Sequence, residues 1–169
     1  MKRYFIVGYM GAGKTYYGRR LAKMYSLPFY DLDAYIKRRE EMSVEDIFMH
    51  FGEGYFRTRE RDYLRELSFV SENYVIATGG GTPCFYDNMD FMNKRGCTIC
   101  LNTPLEIISR RLECRIGKRP LLENVSREAV YEYASAHMKS RSPYYDKARI
   151  QLYPDINGCF PLLEETADL

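Results

Sequence analysis

The chain has 169 residues, 46% of them hydrophobic and 28% charged, with a formal net charge of +2. Such a length and balance are expected of one soluble globular domain with a substantial core, and the small charge gives no support for nucleic-acid binding. No apolar run approaches the roughly 20 residues that span a bilayer, and the short apolar stretch after Lys2 and Arg3 is not a signal sequence, so a cytoplasmic protein without a membrane partner is expected.

Short apolar strands alternate with helical segments, the pattern of an α/β sandwich around a parallel sheet. Strands are expected at 3–7, 28–30, 74–78, 97–101 and 150–153. Helices are expected at 14–25, 33–40, 44–51, 55–70, 86–94, 104–112 and 127–140. Parallel sheets bind ligands at the carboxyl ends of their strands, which makes the residues after each strand the informative ones.

After the first strand, Gly8 to Thr15 read Gly-Tyr-Met-Gly-Ala-Gly-Lys-Thr, a complete phosphate-binding loop between a strand and a helix. In such a loop the N–H groups of Gly11, Ala12, Gly13, Lys14, Thr15 and Tyr16 would face phosphate oxygens, with the helix N-terminus adding to the field. Lys14 would reach the β- and γ-phosphates and the Thr15 hydroxyl would ligate Mg²⁺. This marks the chain as a nucleotide binder.

After the second strand come Asp31 and Asp33. One carboxylate could serve the Mg²⁺ hydration shell and the other could orient a substrate hydroxyl or take its proton. Asp33 is equally well placed to cap a helix starting at Ala34, and spacing leaves both readings open. The helix at 55–70 carries Arg57, Arg59, Glu60, Arg61, Asp62, Arg65 and Glu66, most of which must form a solvated face. After the third strand stand Gly79, Gly80 and Gly81, more glycine than a tight turn requires and suited to a ligand wall.

Cys97 and Cys100 form a Cys-x-x-Cys within the fourth strand, where residues three apart face opposite ways and cannot easily share a metal. His50 and His137 read as ordinary structural histidines, so no metal beyond Mg²⁺ is expected. Five cysteines without framework spacing fit a reducing compartment. The basic segment Cys-Arg-Ile-Gly-Lys-Arg at 114–119 is either a solvated loop or a cationic lid able to close over a γ-phosphate. From Asp155 onward the tail is acidic, leaving about +6 on the remainder, which suits anionic small molecules.

In order, GYMGAGKT, Asp31-x-Asp33, Phe56-Arg57-x-x-Glu60, the Gly79–Gly81 triplet, Arg119-Pro-Leu-Leu and Arg141-x-Pro-Tyr-Tyr145 resemble the shikimate kinases across nearly the whole chain. The resemblance implies a single P-loop kinase domain over 1–169, with a substrate-binding segment at about 33–61 and a lid at about 112–122. Its fold would be a three-layer α/β/α sandwich on a five-stranded parallel sheet of order 2-3-1-4-5, with the lid mobile. Its reaction would be transfer of the ATP γ-phosphoryl group to the 3-hydroxyl of shikimate, by a cytoplasmic monomer. By the same resemblance, Asp33 would orient the attacking hydroxyl, and Asp31 with Thr15 would serve Mg²⁺. Arg57 and Arg141 would clamp the substrate carboxylate, with Glu60 steadying Arg57 and Gly79, Gly80 and Gly81 walling the ring. Lys14 and Arg119 would meet the transferring phosphoryl group, while Arg110, Arg111 and Arg115 compete to stack on adenine. The alternatives are a gluconate or nucleoside monophosphate kinase of the same architecture, and a nucleotide-binding module without chemistry.

Overall fold

A computed structural model describes residues 1–114, 126, 129–155 and 158–163. Five strands form one parallel sheet: β1 (Arg3–Val7), β2 (Phe29–Asp31), β3 (Tyr74–Ala77), β4 (Cys97–Leu101) and β5 (Ile150–Leu152), in the order β2-β3-β1-β4-β5. β1 pairs β3 on one side, with Phe5 opposite Ile76, and β4 on the other, with Phe5 opposite Thr98. The order expected from the resemblance is therefore the one found. It places the end of β1 at the point where strand order reverses, the position at which doubly wound sheets bind ligands.

Alternation along β1 divides the interior. Phe5 and Val7 face one core with Tyr74, Ile76 and Cys100, and α2 (Leu32–Glu40), α3 (Val44–Val70), α4 (Asn88–Arg95), α5 (Leu105–Glu113) and α6 (Val130–Tyr145) contribute to it. Tyr4 and Ile6 face the other with Val75 and Ile99, under α1 (Lys14–Met24) and the returning stretch with Phe160, Leu162 and Leu163. Cys97 packs against this second core while Cys100 lies in the first, so the two thiols point to opposite faces. Burial pushes the Cys100 thiol up to about 12.

α3 is two helices that meet at a kink at Gly52 (φ 77°, ψ 172°), which separates the segments expected at 44–51 and 55–70. Two helical boundaries differ from the sequence reading for definable reasons. The last helix, expected to stop at residue 140 ahead of Pro143, continues to Tyr145. Pro143 has no N–H to give the Lys139 carbonyl, and the Ser142 hydroxyl donates to that oxygen instead, at 3.0 Å. A 3₁₀ turn, Thr82–Cys84, precedes α4, which starts at Asn88 because Tyr86 sits at φ 53°.

Candidate active site

The phosphate loop closes onto α1 through Gly13, which caps the helix at φ 98°, a left-handed conformation that suits glycine. The Thr103 hydroxyl donates to the Ala12 carbonyl at 2.9 Å and ties the loop to the end of β4. Lys14 is buried, and its ammonium donates to the carbonyls of Gly8 and Tyr9, both at 2.9 Å. A cavity of about 530 Å³ opens over Gly11, Ala12, Gly13, Lys14, Thr15 and Tyr16, with Asp31, Asp33, Arg111 and Phe160 also on its walls. Arg111 donates to the Gly11 carbonyl at 2.7 Å. Arg110 is not on that wall, and Arg115 lies outside the described residues.

The two aspartates after β2 separate into different roles. Asp31 accepts from the Ala34 N–H at 3.1 Å through Oδ1, and from the Thr15 hydroxyl at 2.7 Å through Oδ2. The helix cap is thus Asp31, not Asp33 as the alternative reading allowed. Capping by the earlier residue places Asp33 in the first turn of α2, exposed at the cavity mouth.

A second cavity, of about 610 Å³, adjoins the first, and Met10, Asp33 and Gly80 line both. Lys37, Glu45, Arg57, Glu60 and Arg141 bring further charged side chains to it, Gly79 and Gly81 bare backbone, and Phe48, Phe56 and Val44 an apolar side. Arg57 and Arg141 are buried cations that come from α3 and α6, 84 positions apart in the sequence. Nη1 of Arg57 donates to Glu60 at 2.8 Å, and Glu60 accepts the Thr82 hydroxyl at 2.6 Å with its other oxygen. Complete burial pushes the Glu60 carboxyl up, against the pull of the Arg57 cation and the Thr82 hydrogen bond.

None of the three glycines has positive φ, so a left-handed turn does not explain them. Close approach does. A Cβ on Gly79 would lie 2.6 Å from Glu60 Oε1 and 3.0 Å from Asp33 Oδ1, and one on Gly80 would lie 2.9 Å from the Met10 nitrogen. The triplet lets the side chains of the site and the phosphate loop come within contact of bare backbone, while lining the cavity itself.

Several neighbours make contacts that the sequence reading did not assign. Glu53 donates nothing but accepts from both Nε and Nη2 of Arg57, at 3.1 and 3.0 Å. Tyr145 donates to the Gly80 carbonyl at 2.6 Å, and burial pushes its phenol far up, keeping it a neutral donor. Tyr9, in the phosphate loop, meets His137 Nδ1 at 2.9 Å across 128 residues. Burial, then the nearby Arg141 and Arg57 cations, lower His137 to about 4. Of the expected site residues, Arg119 lies outside the described ones, as do residues 115–122 of the lid and Glu164, Glu165 and Asp168 of the tail. Among the described residues no group of three or more His, Cys, Asp or Glu side chains could hold a metal ion, and no helix is long and apolar enough to cross a membrane.

A family model for shikimate kinase matches residues 10–155. A shikimate kinase of Parabacteroides distasonis is 46% identical over 89% of this chain and 86% of that protein. Among solved structures, the shikimate kinase of Bacteroides thetaiotaomicron aligns with a TM-score of 0.82 at 42% identity, covering 90% of this chain and 86% of that one. Shikimate kinase from Acinetobacter baumannii, in complex with shikimate, aligns with a TM-score of 0.84 at 35% identity over 92% and 84% of the two chains. A gluconokinase from Sinorhizobium meliloti, at 13% identity and a TM-score of 0.50, shares the fold alone.

Proposed function

The chain belongs to the shikimate kinase family and transfers the γ-phosphoryl group of ATP to the 3-hydroxyl of shikimate, and we propose that it does so across the boundary of the two adjoining cavities, with Asp33 at the junction. ATP takes the cavity over the phosphate loop, and shikimate the one beside Arg57 and Arg141. The observation that carries this assignment is the convergence of two buried arginines on a cavity that shares Asp33 with the phosphate-loop cavity.

Two planar guanidinium forks suit a carboxylate, and holding that end of the ring places its hydroxyls toward Asp33. The acceptor oxygen forms a bond to the γ-phosphorus, the bond from phosphorus to the β–γ bridging oxygen breaks, and ADP departs. Asp33 orients the hydroxyl and receives its proton as the new bond forms. Because the phosphoryl group passes through a loose transition state, positioning and charge stabilisation matter more than a strong base. Lys14 supplies a cation from the loop side. Arg119 is proposed to do the same from the lid, and Arg111, beside Gly11, to meet the adenine.

Mg²⁺ is proposed as the companion of ATP. The Thr15 hydroxyl and Asp31 carboxylate, hard oxygens already 2.7 Å apart, fit an ion that takes few protein ligands and shares substrate phosphates. When bound it neutralises phosphate charge; Asp31 and Thr15 would hold it. We further propose one domain over 1–169, a monomer in the cytoplasm with no nucleic-acid or membrane partner; the five unpaired thiols are consistent with a reducing compartment.

A coupled ADP-release assay with shikimate, gluconate and nucleoside monophosphates tests the acceptor, and turnover is expected with shikimate. Asp33→Ala should remove most of that turnover while leaving ATP binding largely intact. Near-normal turnover by Asp33→Ala would defeat the assignment of Asp33.

A further inference from the structure

Arg57 has five N–H groups, and two carboxylates hold it without being equivalent. Glu60 is fully buried and also bound to Thr82, so taking it from Arg57 would strand a charge in the interior. Glu53, one helical turn before Arg57, engages Nε and Nη2 with the single oxygen Oε1. Its side chain is 46% exposed, against 5% for Arg57. A carboxylate in that position can turn to water at little electrostatic cost.

The backbone at Glu53 sits between two glycines whose added Cβ atoms would meet nothing within 4 Å. Gly52 interrupts the helical dihedrals, and Gly54 follows immediately. A Cβ at Gly54 would meet nothing within 4 Å, and its φ is not positive. Neither packing nor conformation calls for glycine there, although glycine weakens a helix relative to alanine. Flanking glycines leave Glu53 free to swing without repacking the core.

Charge balance gives the swing a purpose. On the cavity wall Asp33, Glu45 and Glu60 match Lys37, Arg57 and Arg141, so with Glu53 also on Arg57 an incoming carboxylate adds to an excess of negative charge unless Glu53 withdraws. We propose that Glu53 is a built-in surrogate for the acceptor's carboxylate, holding the Nε and Nη2 edge of Arg57 in the unliganded enzyme and yielding it to substrate. The exchange keeps Arg57 oriented between turnovers. It also disfavours uncharged analogues, which cannot replace the anion they displace. Competition of this kind raises the KM for the acid. The proposal rests on Arg57 being the carboxylate clamp.

Glu53→Gln keeps the size and the acceptor oxygen but removes the charge, and its position on the surface spares the fold. In steady-state assays the variant should show kcat/KM for shikimate raised about two- to fivefold, carried by a lower KM, with no matching gain for ATP; that range is the strength of a partly exposed ion pair. Glu53→Ala should move KM in the same direction. An unchanged or raised KM in Glu53→Gln would overturn the proposal and make Glu53 a brace that orients Arg57. Arg57→Lys, measured alongside, should raise the KM for shikimate. If it does not, the clamp assignment falls, and the surrogate with it. If it does while Glu53→Gln leaves KM unmoved, only the surrogate falls.

Discussion

A Cβ placed on Gly81 would lie 2.6 Å from Nη2 and 2.7 Å from Nη1 of Arg57, so the guanidinium rests directly on the backbone of the glycine triplet. The Phe85 ring lies 4.2 Å from its Cζ. Gly81→Ala should therefore act on substrate binding from a residue without a side chain. The KM for shikimate should rise about tenfold or more as Arg57 is displaced, with stability lower by about 1–3 kcal/mol from overpacking. Steady-state kinetics and urea unfolding check both, and a wild-type KM would show that Arg57 is not held in place by this contact.

Asp31 uses its two oxygens for separable purposes, the α2 cap and the Thr15 hydroxyl. Asp31→Asn keeps a side-chain oxygen for the Ala34 N–H and should leave stability nearly unchanged, since Asn caps as well as Asp. Its activity should fall about 10- to 100-fold, with a higher Mg²⁺ requirement, if the proposed Mg²⁺ site loses a charged oxygen with it. Asp31→Ala should add about 1 kcal/mol of destabilisation from the lost cap. Mg²⁺ titrations and thermal unfolding of the two variants separate the effects; equal stability would refute the cap's contribution.

Removing Arg57 should cost more than binding. Arg57→Ala leaves Glu60 buried without its cation, a change worth about 3–5 kcal/mol. The double variant Arg57→Ala with Glu60→Gln removes the stranded charge while keeping an acceptor for Thr82. It should recover most of the lost stability but none of the shikimate turnover. Chemical denaturation alongside the ADP-release assay would reveal either recovery.

His137 should make stability depend on pH. Burial holds it neutral in the folded protein, at about 4 against an ordinary value of 6.5. Between those values the unfolded chain binds a proton that the folded chain refuses, so stability falls as pH drops from about 6.5 to 4 and is fully present above 6.5. His137→Gln should flatten this part of the profile. Thermal unfolding followed at pH 7.5, 6 and 5 measures it; an unchanged slope would show that His137 is not the group responsible.

The tyrosines illustrate what composition withholds. There are sixteen of them, and their number points to no function, yet several act as long-range braces once folded. Tyr9 reaches His137, Tyr145 the Gly80 carbonyl, Tyr17 the Pro161 carbonyl and Tyr35 the Glu66 carboxylate. Each phenol needs a partner from a distant element, which no local pattern encodes.

By itself the sequence determined the alternation of strands and helices and the phosphate loop, because strand period, glycine placement and the Lys-Thr pair act within a few consecutive residues. The ordered motifs also carried the family and hence the sheet order. Only the tertiary structure decided that Asp31 rather than Asp33 caps α2, that the glycine triplet accommodates Arg57, Glu60 and Met10, and that Glu53 shares Arg57 with Glu60. Those outcomes depend on how closely helices settle against the sheet and on which charges become buried there. Both are properties of contacts between distant elements, where desolvation and close approach set the energies.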